Sequence, residues 1–120
     1  MILVASASLA LARPGFLDTS FGGSGVVTTL PALGAPATAQ STGLAIQPDG
    51  KIVAAGDAFN GRTEVDSVVR YDADGSLDSS FGSGGVVTTL VEVFSETFAM
   101  AIQPDGKIVT AGAAADNVVP

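Results

Sequence analysis

The chain has no cysteine and no histidine among its 120 residues. Disulfides, thiolate nucleophiles, imidazole bases and every zinc site built on those ligands are excluded, and with them much of the usual catalytic repertoire. The compartment is not fixed by this, because exported bacterial proteins can also do without disulfides. Positive charge is scarce as well: five Lys and Arg stand against 12 Asp and Glu, a net charge of −7. Binding a polyanion requires a cationic face that displaces counterions, so nucleic acid is not expected as a partner. The same sign argues against anionic lipid headgroups. The acids are dispersed along the chain, which suits solubility. Long Leu/Glu/Lys stretches are missing too, whereas 15 Gly, six Pro and clustered Thr and Val argue for short strands joined by turns. The expected class is all-β.

What is present is repetition. AIQPDGKIV occurs at residues 45–53 and again, letter for letter, at residues 101–109. LDTSFGGSGVVTTL at residues 17–30 matches LDSSFGSGGVVTTL at residues 77–90 in 11 of 14 positions, at an offset of 60 rather than 56. The four-residue difference falls between residues 31–44 in the first copy and 91–100 in the second, which marks a loop that tolerates insertion between fixed elements. Four strands are expected in each unit: VVTTL, then GLAIQ or FAMAIQ, then KIVAAG or KIVTAG, then VDSVVRY at residues 65–71. Strands apolar on both faces suit a small sheet stacked between two similar sheets, as in a propeller blade. In Gln47-Pro48-Asp49-Gly50-Lys51, Pro presets φ for a type I turn, and Gly takes the left-handed conformation that lets the chain re-enter antiparallel pairing. Ile46 and Ile52 flank that turn and can hold its register.

The succession LDxSFG, QPDGKIV and RYxxDGSLD resembles the delta-60 repeat, a family found in tandem in bacterial proteins. The resemblance covers nearly the whole chain. It implies tandem four-stranded antiparallel blades of a β-propeller, often in secreted or cell-surface proteins, with no single established activity. About two blades are accounted for, an incomplete propeller: residues 1–16 as the third and fourth strands of a preceding blade, 17–76 as a complete repeat, and 77–120 as a second repeat lacking its last strand. In that scheme ILVAS is a third strand and SLALAR a fourth, and Pro14-Gly15-Phe16 replaces the six residues 71–76. A signal peptide over residues 1–12 is the alternative, but no Lys or Arg precedes the apolar run, which is also too short to cross a bilayer as a helix.

Candidate chemistry is sparse. Asp72, Asp74 and Asp78 invite a calcium reading, yet Gly75 stands fourth where an EF-hand loop needs glycine sixth, and Ser83 occupies the twelfth position in place of Glu. Asp18 and Asp78 suit backbone capping in the LDxSFG turns, with Leu17, Phe21, Leu77 and Phe81 as plugs between blades. FGGSGVV and FGSGGVV match no phosphate-loop pattern. Lys51, Arg62, Arg70 and Lys107 are scattered, Lys51 and Lys107 at equivalent turn positions where charge opposes edge aggregation. No catalytic, cofactor-binding or metal-binding residue is assigned. The expected function is a non-catalytic scaffold, part of a longer repeat protein, whose loops at residues 31–44 and 57–64 bind protein or glycan; exposed blade edges could also support self-association. The rivals are a truncated frame with no function of its own and a glycosidase-like enzyme built on carboxylates alone. The enzyme needs two of Asp57, Glu64, Asp66, Glu92 and Glu96 to converge at one cleft, and their separate dispersal into solvent would exclude it.

Overall fold

The computed structural model describes residues 2–3, 15–31, 38–59, 61–91 and 94–115. Its described residues form eight strands in three antiparallel sheets and no helix. The central sheet has four strands in the order β3 (Thr38–Ile46), β4 (Ile52–Phe59), β5 (Glu64–Tyr71) and β6 (Val86–Thr89). On one side lies a pair, β1 (Ile2–Leu3) with β2 (Val27–Thr28); on the other lies a second pair, β7 (Phe94–Ile102) with β8 (Ile108–Ala115).

The sheets do not begin where the sequence repeats begin. VVTT at Val86–Thr89, read as the first strand of the second repeat, pairs back onto β5 with Val68 opposite Val87. A central sheet therefore takes three strands from residues 17–76 and its fourth from residues 77–120. Backbone bonds from Arg70 N to Gly85 O and from Asp78 N to Arg70 O steer the chain into this return. At the N-terminal end, Ile2 pairs with Thr28 and Leu3 with Val27, the relation that Ser67 and Val68 bear to Thr88 and Val87. Residues 2–3 thus take a fourth-strand position rather than the third-strand position expected for ILVAS. SLALAR lies outside the described residues.

Several strands are longer than their apolar signatures. β3 starts at Thr38, so half of the loop expected at residues 31–44 is strand, and the four-residue difference in length between the copies falls in the sequence ahead of Thr38. Likewise β4 runs to Phe59 and β5 starts at Glu64, so both ends of the loop expected at residues 57–64 are strand. The Ala, Gly and Asp of AAGDAF have low intrinsic strand preference, and the pairing of β4 with a neighbour on each edge overrides it; TAQST is held as strand by its pairing with β4. The hairpin turns agree with the sequence in both copies. Gly50 N donates to Gln47 O at 2.9 Å and Gln47 N to Lys51 O at 2.8 Å, with Gly50 at φ +85°. Gly106, also at φ +85°, repeats the pattern with Gln103 and Lys107.

Both faces of β4 are covered, which explains its small residues. One face presents Ile52 and Ala54 beside Val69 and Tyr71 of β5, and Phe21 from the first LDxSFG turn closes this core at 1% exposure. Burying a ring of that size contributes about 2 kcal/mol. Phe21 is therefore the plug the sequence suggests. Its repeat partner Phe81 is only half-buried and lies 4.5 Å beneath the Arg70 guanidinium, while Leu17 and Leu77 remain exposed. The other face of the central sheet packs on β7, with Gly43 so close to Met100 that an added Cβ would lie 2.9 Å from the Met100 Cβ.

Candidate functional site: an inter-sheet carboxylate cleft

The polar centre of the molecule lies where β7 crosses the central sheet. Asp57 on β4 and Asp66 on β5 are directly opposed cross-strand partners, and Gln40 is opposite Asp57 on β3. All three occupy the face that packs on β7. Thr97 enters between the two carboxylates and is 1% exposed. Its backbone N–H donates to Asp57 Oδ1, and its hydroxyl donates to Asp66 Oδ1 at 2.8 Å. Gln40 Nε2 donates to the remaining Asp57 oxygen at 3.3 Å.

Thr97 can present its N–H sideways because β7 is irregular there. The pairing of β7 with β8 shifts register between Thr97 and Ala99, as that of β3 with β4 shifts between Ser41 and Gly43. Such a bulge re-aims backbone groups and bends the strand. Each bulge sits over a glycine: a Cβ on Gly56 would collide with the Gln40 carbonyl oxygen, and one on Gly112 with that of Glu96. Neither the bulge nor Thr97 is evident in the sequence. The only signal was positional, since an offset of 56 sets polar Gln40 and Ser41 against Glu96 and Thr97.

Beside this junction a cleft of about 580 Å³ opens between the sheets, lined by Gln40, Asp57, Glu64 and Glu96 with Phe59 and Phe94. A second gap of about 390 Å³ lies between Asp66, Val68 and Thr89 on one side and Ser95, Thr110 and Gly112 on the other. Of the five acids named as enzyme candidates, Asp57, Glu64 and Glu96 thus share one cleft, and Asp66 borders the adjoining gap. Four of the five are gathered around one junction. Glu92 lies outside the described residues. Asp57 and Asp66 are both engaged as acceptors, whereas Glu96 is exposed and Glu64 half-buried.

The remaining acids are divided among other partners. Asp78, 4% exposed, accepts from the Ser80 hydroxyl at 2.6 Å and the Ser80 N–H at 3.0 Å, and pairs with Arg70 at 2.7 Å and Lys51 at 3.1 Å. These contacts, the Ser80 hydroxyl foremost and then Lys51, hold its carboxyl well below the usual carboxylate range, against the opposing effect of burial. Lys51 also pairs with Asp72, and the two acids, Asp72 first, raise its pKa. Asp74 accepts from the Ser76 hydroxyl and N–H, as Asp18 does from Ser20, and both are lowered by those bonds. The Asp72, Asp74 and Asp78 carboxylates therefore serve turns and ion pairs, and no group of three or more metal-ligating side chains is found among the described residues. Lys107, equivalent to Lys51, pairs instead with Asp105 of its own turn at 2.9 Å.

Residues 47–81 and 103–119 match the family model described as a domain of unknown function (DUF5122) beta-propeller. The two segments carry the hairpin turn, β4, β5 and the second LDxSF stretch, then the repeated turn and β8. Together with the antiparallel sheets, the match supports a β-propeller repeat family and makes the fold an all-β, incomplete β-propeller. Comparison with curated proteins and with solved structures gives no significant match. No described helix is long and apolar enough to cross a membrane.

Proposed function

We propose that the chain is a non-catalytic propeller scaffold, a segment of a longer repeat array, which presents its inter-strand connections to a protein or glycan ligand. The observation that carries this reading is the use of Asp57 and Asp66. Both carboxylates are tied to Thr97 across the sheet junction, so the buried acid of the cleft and its cross-strand partner hold two blades together. The connector ahead of Thr38 is four residues longer than its counterpart ahead of Phe94, the kind of variation expected of a surface that selects ligands while the strands stay fixed. Export to the cell surface rests on the resemblance to delta-60 repeats.

Convergence of Glu64 and Glu96 on the same cleft favours a second reading, a hydrolase acting through carboxylates. The two readings separate in one set of assays. Arrayed glycans and peptides are probed with the labelled chain and with a variant in which residues 33–36 are deleted, and both proteins are assayed against aryl glycosides. The scaffold reading predicts array binding that the deletion removes without lowering the melting temperature, and no turnover. Glycoside hydrolysis abolished by Glu64→Gln or Glu96→Gln in a folded protein would overturn it in favour of the enzyme.

A further inference from the structure

Three carboxylates stand in successive cross-strand positions on one face of the central sheet. Asp57 is opposite Asp66, and two residues further along the two strands Phe59 is opposite Glu64. Side chains two apart on a strand share a face, so Asp57, Phe59, Glu64 and Asp66 all stand on the side that packs against β7. Like charges directly opposed across a ladder repel, and a buried carboxylate needs a compensating partner. The donors that reach Asp57 and Asp66 are neutral: the N–H and hydroxyl of Thr97 and the amide of Gln40. Lys51, Arg70 and Lys107 place their ion pairs on Asp72, Asp78 and Asp105, and among the described residues that line the cleft none is basic.

A second observation, on β7, points to a ligand at the same place. Ser95 is 3% exposed, and its hydroxyl has no hydrogen-bond partner among the described residues. It stands two residues before Thr97, whose hydroxyl reaches Asp66, so its side chain shares the inter-sheet face of β7. There it lines the cleft of about 580 Å³ together with Asp57, Phe59 and Glu64. A buried hydroxyl left without a partner is destabilising, and a ligand that donates to it offsets that loss.

We propose that this cleft takes a basic side chain of a protein ligand, arginine above all. The proposal rests on the scaffold reading given under Proposed function and narrows its ligand to one chemistry. A guanidinium is planar and carries five N–H donors and no acceptor. It can donate to Glu64, to the spare lone pairs of Asp57 and to the Ser95 hydroxyl while one face lies against the Phe59 ring. Its charge also relieves the repulsion among the three carboxylates, which a neutral sugar would leave in place. A metal ion suits the cleft less well, because no group of three or more ligating side chains is found among the described residues. Glu96, exposed at the edge of the same cleft, adds to the negative field that draws a cation inward.

The test follows backbone amide shifts of the 120-residue chain by NMR during titration with acetyl-Gly-Arg-Gly-amide. A second titration uses the same peptide with citrulline, which keeps the shape of arginine and lacks its charge. The arginine peptide should give saturable shifts centred on residues 57, 64 and 95, and citrulline should bind about tenfold more weakly. Glu64→Gln should weaken arginine binding by about tenfold as well. Ser95→Ala should weaken it without lowering the melting temperature, since it deletes a hydroxyl that nothing in the fold satisfies. Equal affinity for the two peptides, or no shift up to about 10 mM peptide, would overturn the proposal. So would shifts spread over the whole acidic surface, or arginine binding indifferent to both substitutions. Each of these outcomes leaves the scaffold reading standing, because that reading fails on glycoside turnover instead.

Discussion

Asp78 shows how much one residue can organise. Its two oxygens reach Ser80, Arg70 and Lys51, so one side chain joins the LDSSFG turn to β5 and to the hairpin that opens β4. Bound carboxylates favour the charged form, and the folded pKa of Asp78 lies below the unfolded value of about 3.9. Its stabilising contribution is therefore complete above that unfolded value and is lost as pH falls through the folded pKa. Asp18, Asp74 and Asp105, lowered by hydrogen bonds of their own, act in the same direction. Asp78→Asn should melt at lower temperature than the wild type at neutral pH, and the two melting curves should converge as pH drops below about 4. A constant difference across that range would show that ionisation of Asp78 contributes nothing. The capping role was legible in the sequence because Asp two residues before Ser in a Gly-rich turn has few other uses. Its ion pairs were not, since Lys51 lies 27 residues away and meets Asp78 only once β4 and β5 have paired.

Turns and bulges differ in how they are written into the sequence. A turn of the Pro-Asp-Gly type is specified by backbone conformation, and glycine is required where φ is positive, as at Gly50 and Gly106. It can be read without knowledge of any partner. The bulges at Thr97 and Ser41 are specified by what lies across the ladder, namely a residue with no Cβ at Gly112 or Gly56. In KIVAAG those glycines look like ordinary strand ends. The distinction predicts different costs for one substitution. An added Cβ at Gly106 meets nothing within 4 Å, so Gly106→Ala bears only the conformational term, about 1 to 2 kcal/mol. At Gly56 the backbone is already extended and the new methyl strikes the Gln40 carbonyl, so Gly56→Ala should cost about 3 kcal/mol and also loosen the neighbouring Gln40–Asp57 contact. Chemical denaturation of the two variants checks the order. Equal losses would mean that Gly56 is not held against the bulge.

At the scale of the whole molecule, the repeat length, the all-β class and the stacking of sheets were all legible, because a period of 56 to 60 residues with β-branched clusters leaves few alternatives. The phase of the sheets was not. A tandem repeat has no marked beginning, and nothing local in VVTT says whether it pairs with the strand before it or the strand after it. The outcome depends on the Gly-rich turn that folds residues 86–89 back along residues 66–69. That phase is central to the account, because it links successive repeats. Cross-strand Hα–Hα NOEs in solution test it most directly. The account predicts contacts between residues 66–69 and 86–89, with Val68 opposite Val87. Contacts from residues 86–89 to β7 in their place would return that strand to its own repeat and contradict the blade described here.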